Sequence, residues 1–214
     1  MPQFSSYTQH ELEILEPLGG PGFVERVVKT IRTADAAAYN DCQTIFLDPT
    51  HCDALGEVRR AKINEALVGF AATMGYDCCY EKPGRQRYHN LVMRANGTVL
   101  TVARMYGWNR VTRSSGFRNE FVQLRLDLFG ETDNAYVIPD DKTHTLILTY
   151  EVEMAGDHPV VTNIELHEVG SSPEDVICRI DLGAKVGVQS VDTHEVVFDD
   201  FDIKPKEGLM RKHA

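Results

Sequence analysis

Residues 88–106 read "YHNLVMRANGTVLTVARMY", and this stretch decides the fold class. The Asn96-Gly97 pair is favoured in a two-residue type I′ hairpin turn, because both turn positions need a positive φ. Pairing Ala95 with Thr98 sets the register of the two flanking strands. Both faces near the turn carry apolar side chains, so we expect a central hairpin that is covered on both sides.

Two helical patterns precede this hairpin. Apolar residues recur at helical spacing from about Gly22 to Ala38, and again from about Asp53 to Met74. Gly75 is a natural C-terminal stop for the second helix, because glycine readily adopts the left-handed conformation that ends helices. The first third of the chain is therefore predicted to be helical.

The segments after the hairpin alternate with a period of two, as strands do. A second hairpin is predicted around "AGDH" (residues 155–158), in a register that pairs Val152 with Thr162. The pattern indicates an α+β fold, with two N-terminal helices packed on a largely antiparallel sheet of about six to seven strands. The other predicted strands are Val122–Leu128, Val176–Gly183 and His194–Ile203.

A chain of 214 residues is long enough to bury a sizeable core, and its composition is that of an ordinary globular protein. We expect one domain with short extensions at both ends. The predicted parts are a polar N-terminal lead-in (residues 1–20), a single α+β domain (21–204, with a helical part 21–75 and a β-rich part 76–204) and a C-terminal tail (205–214).

The sequence shows no targeting or membrane segment. The first residues are polar and acidic, unlike a signal peptide, and no stretch approaches the roughly 20 apolar residues that cross a bilayer. We therefore expect a cytoplasmic protein that does not bind membranes. An odd number of cysteines favours reduced, inert thiols over disulfides; the five are Cys42, Cys52, Cys78, Cys79 and Cys178.

The charge is distributed unevenly in a chain whose net charge is −10. Residues 82–125 hold 9 Lys and Arg against a single acid, and eight of the nine cations are arginine. The segments on either side are acidic, with 12 acids against 6 cations in residues 1–81 and 19 against 7 in residues 126–214. A charge asymmetry of this size gives information about binding partners more than about the fold.

The arginine-rich stretch is the strongest candidate for a functional site. Guanidinium groups suit phosphate or carboxylate, because each can donate two parallel hydrogen bonds in one plane. The interleaved aromatic side chains could stack on nucleic-acid bases. The predicted anion-binding or nucleic-acid-binding residues are Arg87, His89, Arg104, Tyr106, Trp108, Arg110, Arg113 and Arg118.

Two alternative interpretations of these arginines remain open. They could pair with acids of the same chain, because both flanking segments are acidic. They could also meet an acidic region of another copy in a homo-oligomer, since complementary charge favours rapid association. The candidate acidic partners are Glu151, Glu153, Glu165 and the run from Asp199 to Asp202.

A metal-dependent hydrolase is the third hypothesis. Carboxylates and an imidazole on the outer face of the second hairpin could hold Mg²⁺, Mn²⁺ or Zn²⁺, although a solvated hairpin face has the same pattern. The four candidate ligands are Glu151, Glu153, Glu165 and His167.

No motif decides for or against catalysis. The Glu-X-Lys element of restriction-type nucleases is missing, and there is no P-loop, dinucleotide fingerprint, nucleophile elbow or zinc-protease motif. We therefore expect no cofactor. The sequence favours a binding module for a phosphate-bearing partner, either nucleic acid or a nucleotide.

Overall fold

The computed structural model describes residues 7–45, 50–81, 89–105, 144–156, 158–170 and 172–186, with only the backbone described for residues 50–53. The predicted strands Val122–Leu128 and His194–Ile203 lie outside these residues. The helical elements are α1 (Gln9–Leu15), a 3₁₀ turn (Glu16–Leu18), α2 (Pro21–Ile45), α3 (Thr50–Met74) and α4 (Leu182–Lys185). The strands are β1 (Asp77–Glu81), β2 (Asn90–Ala95), β3 (Thr98–Arg104), β4 (Thr145–Ala155), β5 (His158–Val169) and β6 (Val176–Asp181).

The six described strands form one sheet in the order β1-β2-β3-β4-β5-β6. Every neighbouring pair is antiparallel except β3 and β4, which run parallel. The long helices α2 and α3 precede the sheet and pack together on one of its faces. The prediction of an α+β fold with a largely antiparallel sheet is therefore confirmed.

The register of the first hairpin is the one that the sequence predicts. Ala95 lies opposite Thr98, and the ladder continues to Val92 opposite Thr101. The turn residue Asn96 has φ 46° and Gly97 has φ 81°, as a type I′ turn requires.

The second hairpin follows the predicted register only over part of its length. Tyr150 lies opposite Ile164 as predicted, but Val152 lies opposite Val161 and not opposite Thr162. A β-bulge in β5 causes the shift, because it places one extra residue between these two pairs. Alternation alone does not reveal such an insertion.

Both long helices extend beyond their predicted ends. Helix α2 continues to Ile45, seven residues past its predicted end at Ala38. Helix α3 begins at Thr50, three residues before the predicted start. Gly75 follows α3 with φ 73°, which confirms it as the stop signal.

Helix α1 forms inside the stretch that was predicted to be a polar lead-in. The Thr8 side chain accepts a hydrogen bond from the Glu11 backbone, and the Glu11 carboxylate accepts one from the Thr8 backbone. This capping box satisfies backbone N–H groups that would otherwise lack partners at the start of the helix. The apolar side chains of Ile14 and Leu15 are then buried in the core.

The main core lies between the helices and one face of the sheet, which we call the helix face. Alternate residues on each strand point to this face, in keeping with strand geometry. The opposite face, which we call the polar face, carries a small cluster of apolar side chains contributed by strands. The helix-face core includes Phe23, Ile31, Ile63, Leu67, Leu91, Leu100, Leu148, Ile164 and Leu166.

A buried ion pair joins the helices to the sheet. Arg59 on α3 donates from Nε to the Asp35 carboxylate on α2 and from Nη2 to the Pro159 carbonyl at 2.6 Å. The second Asp35 oxygen accepts from the Val161 backbone N–H at 2.7 Å. Three elements are thus held by one carboxylate and one guanidinium, which hydrogen-bond to each other and to the backbone of β5.

We predict that Asp35→Asn lowers the free energy of unfolding by about 3 to 5 kcal/mol, because it leaves the buried Arg59 charge without its counter-ion. Urea unfolding at neutral pH measures this change. The matched control is Asp41→Asn, which breaks the exposed ion pair with Lys62 (2.8 Å) on the same two helices and should cost at most about 1 kcal/mol. Equal effects of the two substitutions would contradict the prediction.

The Tyr76 hydroxyl donates to the Leu18 carbonyl at 2.6 Å and so ties the end of α3 to the 3₁₀ turn. Burial raises the pKa of Tyr76 to about 12, against a smaller lowering by Arg26. The folded protein therefore favours the neutral phenol, while the unfolded chain ionises it near pH 10. Stability from this group is fully present below pH 10 and is lost as the pH rises towards 12.

We predict that Tyr76→Phe is less stable than the wild type near pH 9, and that the difference shrinks at about pH 11. The reason is that only the wild type has a phenol whose ionisation favours the unfolded chain. Urea unfolding of both proteins at the two pH values tests this. A difference that grows with pH would contradict the assignment.

Candidate functional site

Both segments that hold the predicted arginine site join the sheet at the same end. Strand β1 ends at Glu81, β2 begins at Asn90 and β3 ends at Arg104, and the antiparallel pairing of these strands brings the three residues together. We call this the arginine end of the sheet. The Asn96-Gly97 turn lies at the opposite end.

Two of the eight predicted site residues lie within the described part of the chain. His89 is exposed and Arg104 is half-buried. Arg104 belongs to the helix face, because it lies opposite Tyr150, which packs in the main core. His89 directly precedes β2. The other six lie outside the described residues: Arg87, Tyr106, Trp108, Arg110, Arg113 and Arg118.

One arginine of the basic stretch is paired within the chain. Arg94 on β2 donates from Nη2 to Glu81 Oε1 at 2.7 Å and from Nη1 to Cys79 Sγ at 3.1 Å. Burial alone would lower the pKa of Arg94, but its hydrogen bonds to Glu81 and Cys79 raise it instead. Arg94 thus pairs with an acid of the same chain, as the first alternative interpretation states. It is not among the predicted site residues.

Cations outside the basic stretch also form ion pairs with nearby acids. Lys185 contacts Glu11 at 2.9 Å, and burial of Glu11 is outweighed by hydrogen bonds from Thr8 and Lys185, so that the pKa of Glu11 is lowered. The other pairs of this kind join Arg59 to Asp35, Arg60 to Glu57, Lys62 to Asp41 and Arg179 to Glu165.

The carboxylate face predicted for a metal forms only in part. Glu165 and His167 lie side by side on the polar face, with His167 Nε2 at 2.7 Å from Glu165 Oε2. Glu151 accepts from Asn163 at 2.9 Å, and Glu153 is exposed. Within the described residues no group of His, Cys, Asp and Glu has the arrangement of a metal site.

The burial of this pair corrects the expectation of a solvated outer face. Glu165 is 1% exposed and His167 is fully buried, although Thr149 and Ile147 lie opposite them as predicted. His167 Nε2 and Glu165 Oε2 share one hydrogen bond, and which of the two groups donates depends on the imidazole tautomer. In the described part of the chain, His167 Nδ1 is buried and has no hydrogen-bond partner.

A second carboxylate–imidazole group was not predicted. Glu168 lies between His10 Nε2 (3.0 Å) on α1 and His144 Nδ1 (2.6 Å) at the start of β4. Its side chain is 7% exposed, and its contact with His10 fastens α1 to the sheet. These residues are far apart in sequence and match no motif, so no local signal could have revealed the group.

A shallow depression of about 380 Å³ lies near the turn end of the sheet. It is next to Pro17, whose carbonyl accepts from Asn96 at 2.8 Å in the first hairpin turn. Glu13 and Glu16 line it together with the apolar Leu12. Two carboxylates suit a cation and oppose a phosphate, so the phosphate-bearing partner predicted from the sequence does not fit here.

The cysteines with described side chains are free thiols. Burial raises the pKa of Cys78, and the neighbouring Cys79 adds to this. Burial likewise raises the pKa of Cys178, with a further contribution from Glu168. A raised pKa disfavours the reactive thiolate form at these two positions.

Comparisons of the chain with protein-family models, with curated proteins and with solved structures gave no match. In the described ranges, no helix has both the length and the apolar character needed to cross a membrane.

We predict that Glu165→Leu lowers the free energy of unfolding by about 1 to 3 kcal/mol, because the buried His167 Nε2 loses its hydrogen-bond partner. Unfolding in urea provides the measurement. Glu153→Leu is the control and should change stability by at most about 0.5 kcal/mol, since Glu153 is exposed on the adjacent strand.

The double variant Glu165→Leu/His167→Leu should recover part of the loss, because two apolar groups need no hydrogen bond. If the double variant loses more free energy of unfolding than the two single variants lose together, the two side chains do not act as a hydrogen-bonded pair.

Proposed function

We propose that this protein binds a phosphate-bearing partner, a nucleic acid or a nucleotide, at the arginine end of its sheet. The proposed contacts are made by arginines that donate to phosphate oxygens and by aromatic side chains that stack on bases. The residues concerned are Arg87, His89, Arg104, Tyr106, Trp108, Arg110, Arg113 and Arg118.

The observation that carries the proposal is the common origin of the two basic segments. The chain leaves β1 after Glu81 and leaves β3 after Arg104, and both points lie at the same end of the sheet. Arginines that are up to 31 positions apart in sequence, from Arg87 to Arg118, therefore belong to segments that start from neighbouring strands. Cations on segments that start from the same end of the sheet can contact a single phosphate group or a short run of phosphates.

The overall acidity of the chain supports a localised site. A net charge of −10 opposes nonspecific coating of nucleic acid. Residues 82–125 nevertheless carry a net charge of +8, which can attract phosphate within a Debye length of about 8 Å at physiological salt. Binding of this kind releases counter-ions, so the affinity should fall steeply as salt rises.

Self-assembly is a second candidate, favoured by the polarity of the molecule. The depression with Glu13 and Glu16 lies near the turn end, and the basic stretch starts from the other end. Opposite charges at opposite ends favour a head-to-tail contact between copies. Light scattering over a salt series separates the candidates, because assembly would then appear without any added phosphate compound.

We predict that Arg104→Ala/Arg110→Ala abolishes binding to a fluorescein-labelled single-stranded oligonucleotide and leaves the fold intact. Fluorescence polarisation at several salt concentrations measures binding, and circular dichroism checks the fold.

The control variant is Arg26→Ala/Lys29→Ala, which removes the same charge from exposed positions in the first half of α2. It should bind like the wild type, with an unchanged salt slope. If the arginine variant binds as tightly as this control, the site is wrongly placed. If the wild type binds neither oligonucleotides nor nucleotides, the proposed function fails.

A further inference from the structure

Strand β1 forms one edge of the sheet. Within the described residues it pairs with β2 on one side, and no strand pairs with it on the other. Its side chains reach solvent on both faces of the sheet, because Cys79 is exposed and the next residue, Tyr80, is 49% exposed. An edge of this kind presents backbone N–H and C=O groups to which a further strand can bind.

The hydrogen bonds of β3 show which way the backbone groups of β2 point. Val99 donates its N–H to the His144 carbonyl at 3.0 Å, on the β4 side of β3. Successive residues of a strand direct their backbone groups to opposite sides. Thr98 therefore bonds to Ala95 on β2, as a two-residue hairpin requires. It follows that the odd-numbered residues of β2 bond to β3 and the even-numbered ones bond to β1.

This alternation fixes the outward groups of β1. The even-numbered residues of β2 lie opposite Asp77, Cys79 and Glu81, so the backbone groups of these three residues are used inside the sheet. Cys78 and Tyr80 direct their N–H and C=O groups away from β2. The open edge thus offers two bonding positions with Cys79 midway between them.

The spacing of these two positions is self-complementary. If two copies of β1 meet antiparallel about a two-fold axis at Cys79, Cys78 of each copy lies opposite Tyr80 of the other. Each such pair can exchange both of its N–H···O bonds. The same five residues then match themselves over their whole length, which is the property that an interface between identical copies requires.

Strand β1 lacks the features that usually protect a sheet edge. Natural edges are guarded by proline, lysine or bulges, but the strand reads DCCYE and pairs with β2 in an unbroken register. In the two-fold arrangement Asp77 lies opposite Glu81 of the other copy. Because Arg94 already binds Glu81 at 2.7 Å, the repulsion between these two acids is weakened.

We infer that β1 is a self-association surface, on which a second copy of this chain adds its own β1 in antiparallel orientation, centred on Cys79. The self-complementary positions of Cys78 and Tyr80 select a second copy as the occupant. The inference does not depend on phosphate binding. It also differs from head-to-tail assembly, because both copies contribute the same surface.

Disulfide trapping on the full-length protein tests the register. The two Cys79 residues would form a pair without backbone hydrogen bonds, with Cα atoms about 4.5 Å apart, which lies within the range of about 4.4 to 6.8 Å found in disulfides. Oxidised glutathione, a small disulfide, accepts the two electrons. One Cys79 thiolate forms a mixed disulfide and releases the first glutathione thiolate, and Cys79 of the second copy displaces the other. We expect a covalent dimer on a non-reducing gel, with Cys79 linked to Cys79 in its digest.

The variant Tyr80→Pro blocks the edge without touching the ladder to β2. It removes one outward N–H, a change that edge strands tolerate, and circular dichroism checks the fold. It should form the dimer at least about tenfold more slowly than the wild type, because association is what makes the reaction between the two thiols intramolecular. The matched control is Tyr80→Val, which keeps the N–H and should link like the wild type.

Three results would each overturn the inference: equal rates for Tyr80→Pro and Tyr80→Val, a linked dimer that persists in Cys79→Ser, or no linked dimer of the wild type. Head-to-tail assembly through opposite charges would not respond to Tyr80→Pro. A failure of oligonucleotide binding would leave the pairing of β1 standing, so the two proposals fail separately.

Discussion

The buried pair of Asp35 and Arg59 is the interaction on which the arrangement of helices and sheet depends. Its two side chains come from different long helices, and both reach the first residues of β5, where they meet the backbone at Pro159 and Val161. Two opposite charges out of water are stable only when their remaining hydrogen-bonding groups are satisfied. This requirement fixes the position of the helices relative to β5, because a small shift would break several bonds to one carboxylate and one guanidinium at once.

The parallel pairing of β3 and β4 has an equally strong effect on where the basic segments start. An all-antiparallel order would let a tight turn follow β3, but a parallel neighbour requires a long crossover. The arginine-rich stretch fills most of the first half of that crossover and begins at the end of the sheet where β1 also finishes. Two basic segments therefore start from the same end of the sheet, and the acidic residues Glu13 and Glu16 lie near the other end.

The features that could be predicted from sequence are those that depend on neighbouring residues. Asn96 and Gly97 fix a hairpin because their own backbone preferences define the turn. The capping box of Thr8 and Glu11 likewise depends only on residues three positions apart, although it is not among our predictions. The bulge in β5 and the burial of His167 are different. Alternating polar residues look the same whether their face meets water or another part of the protein, so the pattern could not distinguish the two cases.

The charges of the helical half bear on how the arginines should be interpreted. Several of its acids are engaged with cations of their own helices or of adjacent elements, as Asp41 is with Lys62 and Asp35 is with Arg59. Arg94 takes Glu81, which stands at the end of β1 beside the arginine end. An acid already held at short distance by one cation offers little further attraction to a second, because its field is largely cancelled. Local pairing of this kind leaves these particular acids less able to neutralise cations elsewhere in the chain.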